Sequence, residues 1–287
     1  MSGAPQPGCV VCGSARSRVV FREHDVDVVR CRGCGHVYST YTQPQEYDGY
    51  FGDAVAADEQ FWWDAAHGAM YRDFGRRFLT GRRGRLLDAG CGLGFFVRFV
   101  GRQEGWAAHG WEISPAAAAY ARRELGLGTV VGGPLEQAGL EPGSFDLVTL
   151  WDVLEHVPAP DPLLGRLHGL LAVGGRLFLH TPNARFQLPK ARLKRVLLGM
   201  RPGVHYLEAR DHVNLYTPAS LRRVLERNGF ADVRYLHLPP IQSVSGSRSP
   251  VLTGLKNLWA AAAAGLDRLT LGRVNLDNLF AVATRRE

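Results

Sequence analysis

Leu86-Leu87-Asp88-Ala89-Gly90-Cys91-Gly92-Leu93-Gly94-Phe95-Phe96 is the stretch on which the fold turns. A short apolar run carries an acid near its end, three alternating glycines follow, and a helical pattern begins at once. Glycines at alternate positions let a ligand approach the backbone where a side chain would collide. Strand, glycine turn and helix in succession put that ligand at the carboxyl edge of an open α/β sheet. The spacing is G-x-G-x-G. The dinucleotide fingerprint G-x-G-x-x-G needs its third glycine at position 95, where Phe95 stands, so a nicotinamide dehydrogenase is disfavoured.

Outward from this motif the pattern alternates. Strand-like runs fall at Arg85–Ala89, Ala107–Ile113, Gly128–Val131, Phe145–Trp151, Arg176–Thr181, Ala231–His237 and Leu279–Thr284. Between most of them lie helix-like segments, Phe95–Glu104, Ala116–Leu125, Asp161–Ala172 and Pro218–Asn228. Ser114-Pro115 offers a capping hydroxyl and then a preset φ, and Asn228-Gly229 is a matching stop. Such alternation predicts an α/β fold with a mostly parallel, seven-stranded, Rossmann-like sheet covered on both faces. Two insertions interrupt it, at about 183–217 and 239–272, both too long for plain turns. Eighteen residues past Gly94, Glu112 ends the second strand in Gly110-Trp111-Glu112-Ile113-Ser114. A carboxylate there can accept hydrogen bonds from both hydroxyls of a ribose. It can also simply favour a helix start.

The amino terminus follows another logic. Cys9-x-x-Cys12 and Cys31-x-x-Cys34 are separated by eighteen residues, and each pair is followed by glycine, Gly13 and Gly35. Zinc takes four thiolates in a tetrahedron, and tight C-x-x-C-G turns present two sulfurs each. Residues 1–40 therefore predict a zinc ribbon with Cys9, Cys12, Cys31 and Cys34 as ligands of one structural Zn2+ and a hairpin (Val19–Phe21, Val26–Val29) between the turns. A segment this short cannot bury a core, so the metal would supply much of its folding free energy. Residues 41–84 read as a linker and a helix from Glu59 to Phe78, with Trp62–Trp63 packing on the domain that follows. Residues 85–287 form the main domain.

The main domain resembles the class I S-adenosylmethionine-dependent methyltransferases, in particular small-molecule members of the ubiquinone-biosynthesis-like group. The blocks that carry the resemblance are LLDAGCGLGFF (86–96), GWEIS (110–114), FDLVTLWDVLEHVPAP (145–160), GGRLFLHTPN (174–183) and HVNLYTPASLRRVLERNGF (212–230). Methyltransferases of this kind with a four-cysteine ribbon in front are familiar. The resemblance implies S-adenosylmethionine as cofactor, with Gly90, Gly92 and Gly94 bordering its methionine part. Asp88 would support that turn or the cofactor's amino group, Glu112 would hold the ribose, and Trp151 and Asp152 would close the site. Cys91, Phe95 and Ile113 complete the candidate set. The family commonly has an acid after the third strand facing the adenine amine; here Leu135 and Glu136 stand instead, with Leu135 placed to pack on the ring and Glu136 to substitute for the acid. His156, just past the fourth strand, is the candidate base, with a side chain that titrates near neutrality. His212 and Tyr216 are second-rank candidates, and His180 and Asp211 rank below them.

Composition sets bounds. With 34 Lys+Arg against 27 Asp+Glu, the net charge of +7 permits acidic partners without naming one. Five cysteines are too few for a disulfide-dense secreted scaffold. No export signal is legible, and no apolar run reaches bilayer length, so a cytoplasmic protein is expected. The segment 185–201 carries six basic residues and no acid, with Leu193, Val196, Leu197 and Met200 at helical spacing. It reads as a lid over an anionic acceptor, an interfacial helix on anionic lipid, or a solvated helix. The expected activity is methyl transfer to O, N or C of a small-molecule acceptor: a sugar, a phenol or quinone, or a natural-product intermediate. An RNA-modifying methyltransferase is the first alternative, but basic residues are spread without aromatic interleaving, unlike a stacking groove. A non-catalytic S-adenosylmethionine-binding protein is the second.

Overall fold

The computed structural model describes residues 8–42, 67–239 and 278–286, with scattered positions between 254 and 270. The sequence-predicted linker, Trp62–Trp63 and nearly all of the 239–272 insertion lie outside these residues. The order of elements is β1 (Ser17–Glu23), β2 (Val26–Cys31), β3 (Val37–Ser39), α1 (67–79), β4 (Gly84–Ala89), α2 (Phe95–Gly101), β5 (Trp106–Glu112), α3 (Pro115–Glu124), β6 (Val130–Gly132), β7 (Phe145–Trp151), α4 (Pro160–Leu170), β8 (Leu171–Pro182), α5 (Ala184–Leu198), β9 (Asn214–Leu215), α6 (Pro218–Arg227), β10 (Phe230–Leu236) and β11 (Asn278–Arg285).

Seven strands form the main sheet in the order β10-β11-β8-β7-β4-β5-β6. All pairs from β6 to β8 are parallel, and β11 runs antiparallel to both of its neighbours. Successive side chains on a strand point to opposite faces, and the two faces fill differently. Leu86, Leu147 and Phe178 pack beneath α1 and α2 with Met70, Phe74, Phe78 and Phe96. Leu87, Val148 and Leu150 pack beneath α4 and α6 with Leu164, Leu167, Leu221 and Val224. The Ser114 cap read from sequence is present, its Oγ accepting the Ala117 amide 3.3 Å away; on α6, Thr217 and Ser220 add a reciprocal capping box that the sequence reading did not name. Two boundaries move by more than two residues. Helix α2 stops at Gly101, and β8 begins at Leu171, where extended backbone ends α4 and pairs with Phe145.

The cysteine-bearing segment does not stand alone. Strands β1, β2 and β3 are completed by β9 from the first insertion, pairing Val37 with Leu215 and Tyr38 with Asn214. The inner face of this small sheet, Phe21, Val26, Val28 and Val37, packs on Ala184, Leu188 and Ala191 of α5 and on Tyr206 and Leu207. A boundary at residue 40 thus cuts through a sheet. The physical reason is that β3 alone would leave its outer edge unpaired, and β9 covers it.

Candidate active site

Strand β4 ends in a turn that is tied to its neighbour. The Gly90 and Cys91 amides donate to the Trp111 carbonyl on β5 at 2.7 and 3.0 Å. Gly90, Gly92 and Gly94 all have positive φ (74°, 52° and 86°). A Cβ on Gly90 would lie 2.6 Å from Val153 Cγ2, so the turn is closed to side chains on steric as well as conformational grounds. Glu112 braces it from β5: Oε2 accepts the Gly92 amide at 2.7 Å and Oε1 the Ser114 amide at 2.9 Å. A carboxylate offers about four acceptor sites, so these amides do not exhaust it. Burial raises the Glu112 pKa against the pull of these amides. Asp88, also buried, accepts from Thr149 Oγ1 at 2.6 Å, and burial pushes its carboxyl up to about 7, with Glu112 nearby adding to the rise. The next residue after Glu112, Ile113, is 40% exposed, an apolar side chain held open beside the carboxylate. These features form a cradle that suits a nucleoside: glycine backbone, a diol acceptor and an apolar flank.

The remaining candidates on this side divide. Cys91 packs among Val97, Ala118 and Val130 against Gly110, and Phe95 packs with Leu93 and Ala117, both buried. Leu135 is buried in the core that includes Trp111. The Trp151 ring lies 4.9 Å from Phe96 and 4.8 Å from Phe178, within the aromatic cluster beneath α1. Asp152 adopts left-handed φ (51°) and keeps a third of its side chain open. Its Oδ2 lies 3.0 Å from His180 Nδ1, without the alignment of a hydrogen bond. Crowding works to raise the Asp152 carboxyl, but His180, His67 and His212 around it hold it below the usual range.

A single helical turn, Leu154–His156, leaves β7 and opens the second half of the site. His156 Nδ1 lies 3.1 Å from the Asp211 carbonyl. A carbonyl only accepts, so the proton sits on Nδ1 and the lone pair on Nε2. The His212 ring stands 4.8 Å away, edge to face. Burial, with His212 adding to it, lowers the His156 pKa to about 4. Glu155 points inward and accepts from Thr181 Oγ1 at 3.0 Å, while its Oε1 has no partner among the described residues. Burial, with Asp152 nearby, drives its carboxyl well above the usual range. Ligating atoms of Glu155, His156 and His212 all fall within 4.8 Å of one another. Tyr216, by contrast, is fully buried with its ring 5.3 Å from His36, and offers an acceptor no surface. Glu155 and His67, which stand around Asp152, were not singled out from the sequence.

The four amino-terminal cysteines converge. Cys9 Sγ and Cys34 Sγ are 3.5 Å apart, as are Cys12 Sγ and Cys31 Sγ, and all four lie within 4.8 Å. Each turn closes onto its first cysteine, with the Gly13 amide on Cys9 O (2.7 Å) and the Gly35 amide on Cys31 O (3.0 Å). Neither pair is a disulfide.

The comparisons with known proteins follow the same lines. A family profile described as "Methyltransferase domain" matches residues 63–235. A ubiquinone biosynthesis O-methyltransferase of Xanthomonas euvesicatoria is 30% identical over 193 residues, 62% of this chain and 78% of the relative. One of the same name from Aeromonas salmonicida is 32% identical over 174 residues, 55% of this chain and 68% of the relative. Among solved structures, Haemonchus contortus phosphoethanolamine N-methyltransferase 2, in complex with phosphomonomethylethanolamine and S-adenosylhomocysteine, aligns with TM-score 0.55 at 17% identity. That alignment covers 88% of this chain and 63% of the other, and speaks to fold alone. Sheet order, glycine turn and a family match over most of its length converge: the chain belongs to the methyltransferase-domain family and is a class I S-adenosylmethionine-dependent methyltransferase.

Proposed function

We propose that the enzyme methylates a hydroxyl of a small aromatic acceptor, a phenol or quinol, with His156 taking the hydroxyl proton. The observation that carries this reading is the His156–Asp211 pairing at the end of β7, which leaves the basic nitrogen on Nε2. The O-methyltransferase relatives point to the same acceptor chemistry. When bound, S-adenosylmethionine supplies a methyl group on a sulfonium with a good leaving group. The chain's own work is then mostly alignment, which can be worth about 7–11 kcal/mol. Glu112 holds the ribose diol, Gly90, Gly92 and Gly94 admit the methionine part, and Ile113 flanks the adenine. Asp88 faces the amino group, and Asp152 closes the floor. The reading is tested by incubating the enzyme and cofactor with an alkyl catechol, a phenol-free polyol and an amine. A 14-dalton gain, one CH2, on the catechol alone supports it; gain on the amine alone overturns it.

Asp88 gives this reading a pH signature. Its carboxyl titrates near 7 in the free protein, and a cationic cofactor favours the ionised form. Binding is therefore expected to release up to one proton near pH 7 and to weaken as pH falls below it. Calorimetry in two buffers of different ionisation enthalpy measures that proton; identical heats would contradict the placement of Asp88.

A second reading uses the same residues. Glu155, His156 and His212 have the types and spacing of divalent-metal ligands, and a cation there would bind the acceptor oxygen directly. Turnover lost to a chelator and restored by Mn2+ or Fe2+, which suit two imidazoles and a carboxylate, favours it; indifference favours the base.

The four cysteines are proposed to hold one structural zinc, since tetrahedral thiolates on Zn2+ stand about 3.8 Å apart and these sulfurs sit at comparable separations. Residues 8–40 and the first insertion then act as one unit on the main domain. Elemental analysis is expected to find about one zinc per chain, and its removal to lower the melting temperature of the whole chain rather than of a detached module. Helix α5 turns Leu193, Val196 and Leu197 outward (61%, 81% and 71% exposed) beside Arg192 and Arg195. Such a face fits an interfacial helix on anionic lipid. Co-sedimentation with phosphatidylglycerol vesicles, weakened roughly tenfold by Val196→Glu, is the expected result; equal retention on pure phosphatidylcholine would exclude it.

A further inference from the structure

The tip of the β1–β2 hairpin is engaged, residue by residue, with one distant loop. Glu23, only 3% exposed, accepts the Tyr206 amide on Oε1 at 2.5 Å. Its Oε2 accepts the amides of Leu207 at 3.1 Å and Ala209 at 3.0 Å. His24 Nε2 lies 3.2 Å from the Val204 carbonyl. Asp25 takes Arg210 Nη2 on both oxygens, at 2.8 and 2.7 Å. The loop then turns at Glu208, a non-glycine residue with φ 56°, whose carbonyl accepts the amides of Asp211 (2.9 Å) and His212 (2.7 Å). The two residues so delivered are the ones that meet His156: the Asp211 carbonyl at Nδ1 and the His212 ring edge to face.

A buried carboxylate is costly unless its oxygens are satisfied, and three converging amides satisfy it with charge-assisted bonds. A glutamine at this position would keep one oxygen but turn an NH2 toward amides that also donate. The contact is therefore specific to the carboxylate, and its consequence falls on the acceptor side of the enzyme. We propose that Glu23 is a positioning residue for catalysis: it sets the 204–212 loop so that Asp211 fixes the His156 tautomer and His212 stands beside it. The amino-terminal hairpin is on this view a working wall of the acceptor site. The inference rests on the reading of His156 as proton acceptor.

The test uses the full chain as isolated, labelled with nitrogen-15 histidine, as wild type, Glu23→Gln, Glu23→Asp and His156→Ala. In the wild type, His156 is expected to carry its proton on Nδ1. In Glu23→Gln its ring signals should move toward a mixture of tautomers, with S-adenosylmethionine affinity unchanged by calorimetry. Turnover of an alkyl catechol should fall ~10²-fold, the scale of a small misplacement of a reacting group. Adding Glu23→Gln to His156→Ala should cost nothing further, as expected of a residue acting through His156. Glu23→Asp keeps the charge but draws it back by one methylene, and should move the same signals less. Unchanged His156 signals in Glu23→Gln would overturn the proposal. So would loss of cofactor binding in both Glu23 variants, which would mark Glu23 as a general fold contact. Full turnover by His156→Ala would instead refute the base, while the ring signals still judged Glu23.

Discussion

Glu112→Ala is expected to bind S-adenosylmethionine too weakly for calorimetry to detect, while the chain stays folded. Hydrogen bonds to a charged group contribute about 1.5–3 kcal/mol each, and a ribose diol would make two. Their joint loss corresponds to roughly 10²–10⁴-fold in affinity. The same substitution frees the Gly92 amide, held by Glu112 Oε2, and the Ser114 amide, held by Oε1, so the glycine turn loses its brace together with the sugar's partner. Glu112→Gln separates the two effects. One of its oxygens becomes an NH2 facing a backbone amide, so it should weaken binding less than alanine but clearly. Wild-type affinity in Glu112→Ala would show that the ribose lies elsewhere.

The other large effect is on chemistry rather than binding. His156→Ala should lower kcat by about 10²-fold, the low end of the contribution of general base catalysis, since a base of depressed pKa is a weak one, and leave cofactor affinity as it was. The pH profile carries the sign. An ordinary histidine is half protonated near 6.5, whereas burial holds His156 neutral down to about 4. A base of depressed pKa is lost only as pH falls through that lower value, so kcat should stay level well below pH 6. The same depression means that folding opposes protonation, so stability from this group falls as pH drops from 6.5 toward 4. Retained turnover in His156→Ala would remove it from the mechanism. Selective loss in a Glu155 variant, with Mn2+ or Fe2+ rescue of the chelated wild type, would move the weight to the metal reading.

The main sheet was legible because each of its elements carries its own period. Strand β7, Phe145–Trp151, falls where its apolar run was read, α3 starts at the predicted Ser114-Pro115 step, and α6 starts at Pro218 as its helical segment was read. The cysteine cluster was legible because two turns of fixed geometry announce it. What sequence could not show was pairing at a distance. Strand β9 is two residues long, Asn214–Leu215, and no pattern of that length predicts that it completes a sheet begun at residue 17. Its placement puts His36 Nε2 3.0 Å from Asn214 Oδ1 and seals Tyr216 in the core, so the tyrosine that the resemblance put near the acceptor is buried. Glu155 was hidden for a different reason. Its neighbour His156 drew the chemistry, while burial of the acid itself depends on Thr181 from another strand. Trp151 lies at the expected strand end, yet its ring joins the aromatic layer under α1, an orientation that only the packing of Phe74, Phe96 and Phe178 decides.

The central claim is spatial: the cofactor's nucleoside sits over the carboxyl ends of β4 and β5, its sugar on Glu112. A crystal structure of the enzyme with S-adenosylhomocysteine tests it most directly. The expected result is both ribose hydroxyls within hydrogen-bond distance of the Glu112 carboxylate and the amino-acid tail along Gly90–Gly94. Density for the compound at any other edge of the sheet, with Glu112 contacting only Gly92 and Ser114, would contradict it.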